Sequence, residues 1–189
     1  MLAVLTGIPG TGKTTTARRA LEILKGQNVE YEMITYGDIM FELAKSRNLV
    51  KDRDEMRKLI PEKQKEIQKH AAKKISVMSA AKNVLVDTHC TISTPRGYLP
   101  GLPEWVLAEL KPNVFILVEA KPEEIALRRQ FDKTRQRDGE MTDEIRMHQE
   151  LNRSIAMAYS VYSGCTVNII QNPQGRLEEA AKRMSEILR

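Results

Sequence analysis

Cysteine is nearly absent from this 189-residue chain, which has only Cys90 and Cys165. Two thiols exclude a disulfide framework and a four-cysteine zinc site. Aromatic residues make up only 5%, with a single tryptophan, Trp105. They are scattered, so there is no stacking platform of the RNA-binding kind. No apolar stretch approaches the ~18 residues that a membrane span requires. The apolar run Leu2–Leu5 is far too short for a signal peptide. No repeat, low-complexity tract or Pro/Gly/Ser linker divides the chain. These absences make a cytoplasmic protein with reduced thiols the expectation.

The composition is that of an ordinary globule. With 41% apolar and 29% charged residues, a chain of this length can bury a sizeable core in one domain. Lysine and arginine number 30 against 25 acidic residues, a net charge of +5. So small a surplus suits anionic ligands such as nucleotides at least as well as nucleic acid. Short apolar runs at Leu2–Thr6, Tyr31–Thr35, Val84–Asp87, Val114–Val118 and Val167–Ile170 alternate with helical patterns. They lack polar alternation, as parallel strands covered on both faces do. The sequence therefore predicts a three-layer α/β fold: a five-stranded parallel sheet with helices on both faces.

A long polar helix is predicted from near Arg53 past Met78, with a break before Pro61. On it Lys65, Lys69 and Lys73 share one face, opposite Ile67, Ala71, Ile75 and Met78. A solvated face opposite a core face accounts for this better than a nucleic-acid stripe. Leu177, Ala180, Ala181, Met184, Ile187 and Leu188 make a single apolar stripe on a final helix.

The chemistry lies in Gly7-Ile8-Pro9-Gly10-Thr11-Gly12-Lys13-Thr14, which satisfies G-x-x-x-x-G-K-[ST] between a strand and a helix. Glycines let the backbone form a nest whose N–H groups face phosphate oxygens. The helix N-terminus adds partial positive charge. Lys13 is expected on the β- and γ-phosphates of ATP, the Thr14 hydroxyl on Mg²⁺, and Thr15 on an α-phosphate oxygen.

A second anchor is the apolar run Asn83–Val86 ending in Asp87, where a carboxylate would orient Mg²⁺, through water. Thr88 and His89 follow it, not the glutamate that polarises water in hydrolysing ATPases. Transfer to a bound acceptor is favoured over hydrolysis. Six of the 15 arginines lie between Arg128 and Arg153. Planar guanidiniums stabilise the equatorial charge of a transferring phosphoryl group. Arg135–Gly139 has the turn character of a short lid, although Arg128 is also spaced to pair with Glu124 on one helix face. His70, His89 and His148 share no metal-ligand spacing with either cysteine, so zinc is not expected.

Further residues narrow the class. Tyr36-Gly37-Asp38-Ile39-Met40-Phe41-Glu42 and Asp52–Leu59 resemble the acceptor-nucleotide region of archaeal-type adenylate kinases, within the P-loop nucleoside monophosphate kinases. So do Val86-Asp87-Thr88-His89, the run Thr94-Pro95-Arg96-Gly97-Tyr98-Leu99-Pro100-Gly101-Leu102-Pro103, and His148-Gln149 with Asn152-Arg153. The resemblance spans essentially the whole chain. It implies Mg²⁺-dependent transfer of the ATP γ-phosphate to AMP, giving two ADP, by a cytoplasmic homotrimer that uses neither zinc nor a membrane.

The resemblance also implies a single domain over residues 1–189, with an acceptor segment near 36–82 and a lid near 128–145. ATP is expected on Gly7 to Thr15 and Arg129. AMP is expected on Gly37, Asp38, Arg57, His89, Arg96 and Tyr98. The catalytic set is Lys13, Asp87, Arg135, Arg137 and Arg153. Phe41 stands where bacterial adenylate kinases carry an acceptor arginine, and Arg57 is the natural substitute. Two alternatives remain open at this point. One is a P-loop kinase for another nucleoside monophosphate or a small metabolite. The other is an ATP-dependent nucleic-acid or assembly factor.

Overall fold

The computed structural model describes residues 1–131 and 142–189. Its strands are β1 (Leu2–Thr6), β2 (Tyr31–Thr35), β3 (Asn83–Asp87), β4 (Thr91–Thr94), β5 (Gly97–Pro100), β6 (Val114–Glu119) and β7 (Thr166–Gln171). Five of them form the parallel sheet β2-β3-β1-β6-β7, while β4 and β5 pair as a separate antiparallel hairpin. The helices are α1 (Lys13–Lys25), α2 (Tyr36–Ser46), α3 (Pro61–Ala81), α4 (Glu104–Leu110), α5 (Pro122–Phe131), α6 (Thr142–Ser163) and α7 (Leu177–Ile187).

Side chains alternate across a strand, and the apolar central strands therefore feed two cores. Val4, Val86, Phe115 and Leu117 pack with Ile39, Ile75, Leu107 and Ala156 from α2, α3, α4 and α6. Leu5, Leu85, Ile116 and Val118 pack on the other face with Ala17, Ala20, Ala181 and Met184 from α1 and α7. Small alanines at the contact let α1 and α7 lie close to the sheet. Phe115 is fully buried, and its truncation to alanine would cost about 3–5 kcal/mol. Coverage of both faces holds for β1, β3 and β6. It does not hold for the edge strands β2 and β7, which are half-exposed along much of their length because the helices centre on the middle strands.

The expected break precedes Pro61, which occupies the first turn of α3 after a residue in extended conformation. Before it lies a short 3₁₀ turn, Asp54–Lys58, capped by the Asp52 carboxylate accepting from the Asp54 and Glu55 amides at 2.9 and 3.0 Å. Lys65, Lys69 and Lys73 are exposed and Ile67, Ala71 and Ile75 buried, the solvated-face arrangement. The Lys65 ammonium sits over the Trp105 ring, 4.4 Å from its centroid. Among the described residues no helix is long and apolar enough to cross a membrane.

Candidate active site

β1 ends at Thr6, and the glycine loop carries the chain into α1 at Lys13. Gly12 has φ +81°, and a β-carbon there would lie 2.6 Å from the Asn172 amide nitrogen. Only glycine fits. Carbonyls of the loop are held by side chains from outside it and by one of its own. Asn172 Nδ2 donates to Thr11 O at 2.8 Å, Arg129 Nε to Pro9 O at 2.9 Å and the Thr11 hydroxyl to Ile8 O at 3.0 Å. Arg128 donates to Thr11 O at 3.3 Å and to Asn172 O at 3.0 Å. Ile8 anchors the floor, buried with Ala120, Ile125 and Ile145. A loop braced in this way keeps a fixed concavity, the shape suited to phosphate oxygens.

Asp87 ends β3 and is paired in register with Leu5 of β1 and Thr35 of β2. The Lys13 ammonium forms an ion pair with Asp87 Oδ1 and donates to Thr88 O at 3.3 Å. The Thr14 hydroxyl donates to Asp87 Oδ2 at 3.1 Å. Residues separated by more than 70 positions thus meet at one point. Thr15 is exposed beside them.

Past Asp87 the chain forms the β4–β5 hairpin, which sequence patterning does not reveal. Each of its strands has only four residues, with Pro95 in the turn and Pro100 closing β5. His89, at its base, is buried enough that desolvation, with Lys13 nearby, pushes its imidazole down to about 4, so it is neutral at physiological pH. Pro9, His89, Thr91, Ile92, Ser93, Arg129 and His148 line one cleft of about 230 Å³, which the glycine loop and the hairpin therefore share. Tyr98 packs its ring on His148 with centroids 4.9 Å apart, and Arg96 is exposed in the hairpin turn.

The other expected residues are more dispersed. Gly37 and Asp38 open α2 directly after β2. Asp38 forms an ion pair with Arg53, whose guanidinium lies 5.6 Å from the Phe41 ring centroid. Arg57 is exposed in the 3₁₀ turn and, among the described residues, forms no hydrogen bond or ion pair with another expected site residue. Arg153 chelates the buried Glu119 carboxylate at 2.8 and 2.5 Å, which raises its pKa further. Arg135 and Arg137 lie outside the described residues. Arg128 reaches Glu124 at 3.8 Å, as its spacing suggests, but also braces the glycine loop.

Sequence reasoning passes over Asn172, Thr91, Glu119 and Arg53. The turn signal Asn172-Pro173 after β7 was available; the tertiary partners of the other three were not. Among the described residues no group of three or more His, Cys, Asp or Glu side chains is placed to hold a metal ion.

Relatives resolve the class. The chain is 50% identical over 188 residues to adenylate kinase from Methanocaldococcus jannaschii, covering 100% of this chain and 98% of that protein. Identity to adenylate kinase from Methanopyrus kandleri is 52%, over 98% of this chain and 96% of the relative. This chain belongs to the archaeal-type adenylate kinases.

A family model described as an AAA domain, AAA_17, matches residues 6–146 of this adenylate kinase family member. Its fold is shared with shikimate kinase from Acinetobacter baumannii, solved in complex with shikimate, at TM-score 0.59 and 16% identity over 99% of this chain and 92% of that one. Shikimate kinase from Bacteroides thetaiotaomicron gives 0.57, also at 16% identity, over 100% and 98%. At such identity the likeness speaks for the P-loop kinase fold alone.

Proposed function

We propose that this adenylate kinase transfers the γ-phosphoryl group of ATP reversibly to AMP, with the glycine loop as donor site and the α2–α3 segment and β4–β5 hairpin as acceptor site. The observation that carries the assignment is the shared cleft, where Pro9 and Arg129 face His89, Thr91 and Ser93. An AMP phosphate oxygen attacks the γ-phosphorus. The bond from phosphorus to the β–γ bridging oxygen breaks, and one ADP is left on each side. Such a transfer needs positioning and charge stabilisation, not covalent chemistry by the protein.

Lys13 supplies positive charge to the β- and γ-phosphates, with Gly7 to Thr15 and Arg129 around the donor. Gly37, Asp38, Arg57, His89, Arg96 and Tyr98 surround AMP. Arg135, Arg137 and Arg153 serve the transferring group, the first two from a lid near 128–145. The oxygens of Thr14 and Asp87, 3.1 Å apart, form the hard-oxygen donor set that Mg²⁺ prefers, and they would hold it there. Bound Mg²⁺ neutralises phosphate charge. Thr88 and His89 follow Asp87 where a hydrolysing ATPase would carry a water-polarising glutamate, which supports transfer to an acceptor over hydrolysis. The free thiols of Cys90 and Cys165 support a cytoplasmic protein. Its assembly as a homotrimer follows from the family resemblance.

The test is ADP formation from Mg-ATP with AMP, GMP, CMP, UMP or no acceptor. AMP should give the highest kcat/KM, with negligible turnover in the absence of an acceptor. A pyrimidine preference would make the chain a kinase for another monophosphate. Acceptor-independent hydrolysis stimulated by nucleic acid would favour an assembly factor.

A further inference from the structure

One sequence element, His148-Gln149 with Asn152-Arg153, has no phosphate-binding role in the transfer apart from Arg153. In the structure α6 directs each of these residues to a segment framing the cleft. His148 Nε2 and Asn152 Oδ1 converge on the Thr91 hydroxyl at 2.9 and 2.6 Å. Gln149 brackets Ala120, donating to its carbonyl at 3.1 Å and accepting from its amide at 3.4 Å. Arg153 holds Glu119. Further along α6, the Tyr159 hydroxyl donates to Cys90 O at 2.9 Å and accepts from the Leu102 amide at 3.2 Å.

The hairpin is therefore gripped at both ends, before β4 and after β5. The same helix grips the end of β6, which lies beside the glycine loop. Thr91, His148 and Asn152 are buried, each with no more than 5% of its surface exposed. Apolar residues alone would pack α6 at lower desolvation cost. A buried network of directed hydrogen bonds instead specifies one geometry. The Thr91 hydroxyl has a single proton; donating it to Asn152 Oδ1 leaves its lone pairs to accept from His148 Nε2–H. His148 also carries the Tyr98 ring, so one side chain contacts both the base and the body of the hairpin.

We propose that His148 and Asn152, acting through the Thr91 hydroxyl, are positioning residues that fix the acceptor hairpin relative to the glycine loop. Arg96 and Tyr98 ride on that hairpin and are thereby held at the reach that an in-line transfer needs. Displacement of about 1 Å can cost about a hundredfold in rate. The inference rests on the assignment of the hairpin to the AMP site.

The experiment measures KM for AMP and for ATP, and kcat, in Thr91→Val, Thr91→Ser and Asn152→Ala, with Arg96→Ala alongside and folding followed by thermal unfolding. Thr91→Val, isosteric but without a hydroxyl, should raise KM for AMP about tenfold, the effect of about 1.4 kcal/mol, lower kcat as the acceptor is misplaced, and leave KM for ATP within twofold. Thr91→Ser should stay within twofold of the parent on both. Asn152→Ala should follow Thr91→Val, and it carries the test should the valine variant not fold. Unchanged KM for AMP in Thr91→Val while Arg96→Ala raises it would overturn the positioning role and leave the acceptor site standing. Equal rises in both KM values would reduce the network to general support of the fold. No effect from Arg96→Ala would instead overturn the hairpin's place in the AMP site.

Discussion

Lys13 and Asp87 form an ion pair that ties the glycine loop to the end of the neighbouring strand, with side chains 13% and 9% exposed. The pair keeps a flexible four-carbon side chain at the phosphate position and keeps a buried carboxylate compensated. Lys13→Ala should lower kcat roughly 10²–10³-fold, the usual effect of losing one charge-stabilising donor. It should also lower the unfolding temperature, because Asp87 loses its cation. Adding Asp87→Asn should recover part of that stability and none of the activity. Turnover near that of the parent protein would remove Lys13 from the mechanism.

Arg57 has no ion-pair partner among the described residues, whereas nearby Arg53 is engaged by Asp38. An uncommitted guanidinium can pair bidentately with a dianionic phosphate. Arg57→Ala should therefore raise KM for AMP at least about tenfold, equivalent to losing one charge-assisted contact of about 1.5–3 kcal/mol, and leave KM for ATP nearly unchanged. Steady-state kinetics with each nucleotide varied in turn would show this. Equal effects on both nucleotides would remove Arg57 from the acceptor site.

Gly101 donates its amide to Cys90 O at 2.7 Å, and a β-carbon on it would overlap the His89 carbonyl oxygen. The obstacle is backbone, so it cannot rotate away. Gly101→Ala should destabilise the fold by about 1–3 kcal/mol in denaturant unfolding, as overpacking does, and should raise KM for AMP. A variant with parental stability and kinetics would mean that the hairpin base yields freely.

Cys90 is fully buried, and burial pushes its thiol up to about 12. The same cause pushes the Tyr31 and Tyr159 hydroxyls up to about 12. Each acid stays protonated in the folded chain after its unfolded counterpart has ionised. Stability should then be undiminished below about pH 9 and fall as pH rises from there towards 12, because the unfolded state binds fewer protons. A thiol reagent at neutral pH should label one cysteine, Cys165, in the native protein and both after unfolding. A flat unfolding temperature between pH 8 and 11, or two native labels, would contradict this environment for Cys90.

Local patterns are what a sequence displays, and the sheet is built from them. Leu2–Thr6 and Tyr31–Thr35 have the predicted bounds, and the other three strands extend by one residue at one or both ends. The glycine loop is legible because its spacing is covalent. Asp87 is legible because it ends an apolar strand. Arg153 is different: its sequence gives a cation, but its commitment to Glu119 depends on α6 lying across β6, a long-range fact. The hairpin is hidden for a related reason. Thr91–Pro100 has no apolar alternation to bury, and it is held by polar contacts from α6.

The sheet's two ends differ in how much length variation they can absorb. At the carboxyl end the glycine loop, Asp87, the hairpin base and Asn172 are joined by side-chain bonds, and Glu119 is tied to α6 through Arg153. One residue inserted in β1 or β3 would advance the chain by about 3.3 Å and turn every following side chain to the opposite face, parting Lys13 from Asp87 and exchanging the two cores. At the amino end, the connection from Gly26 to Glu30 is largely exposed and contributes no side chain to the cleft. Additional residues, an inserted tag, or new termini from circular permutation belong there, where the loop-closure penalty grows only slowly with length.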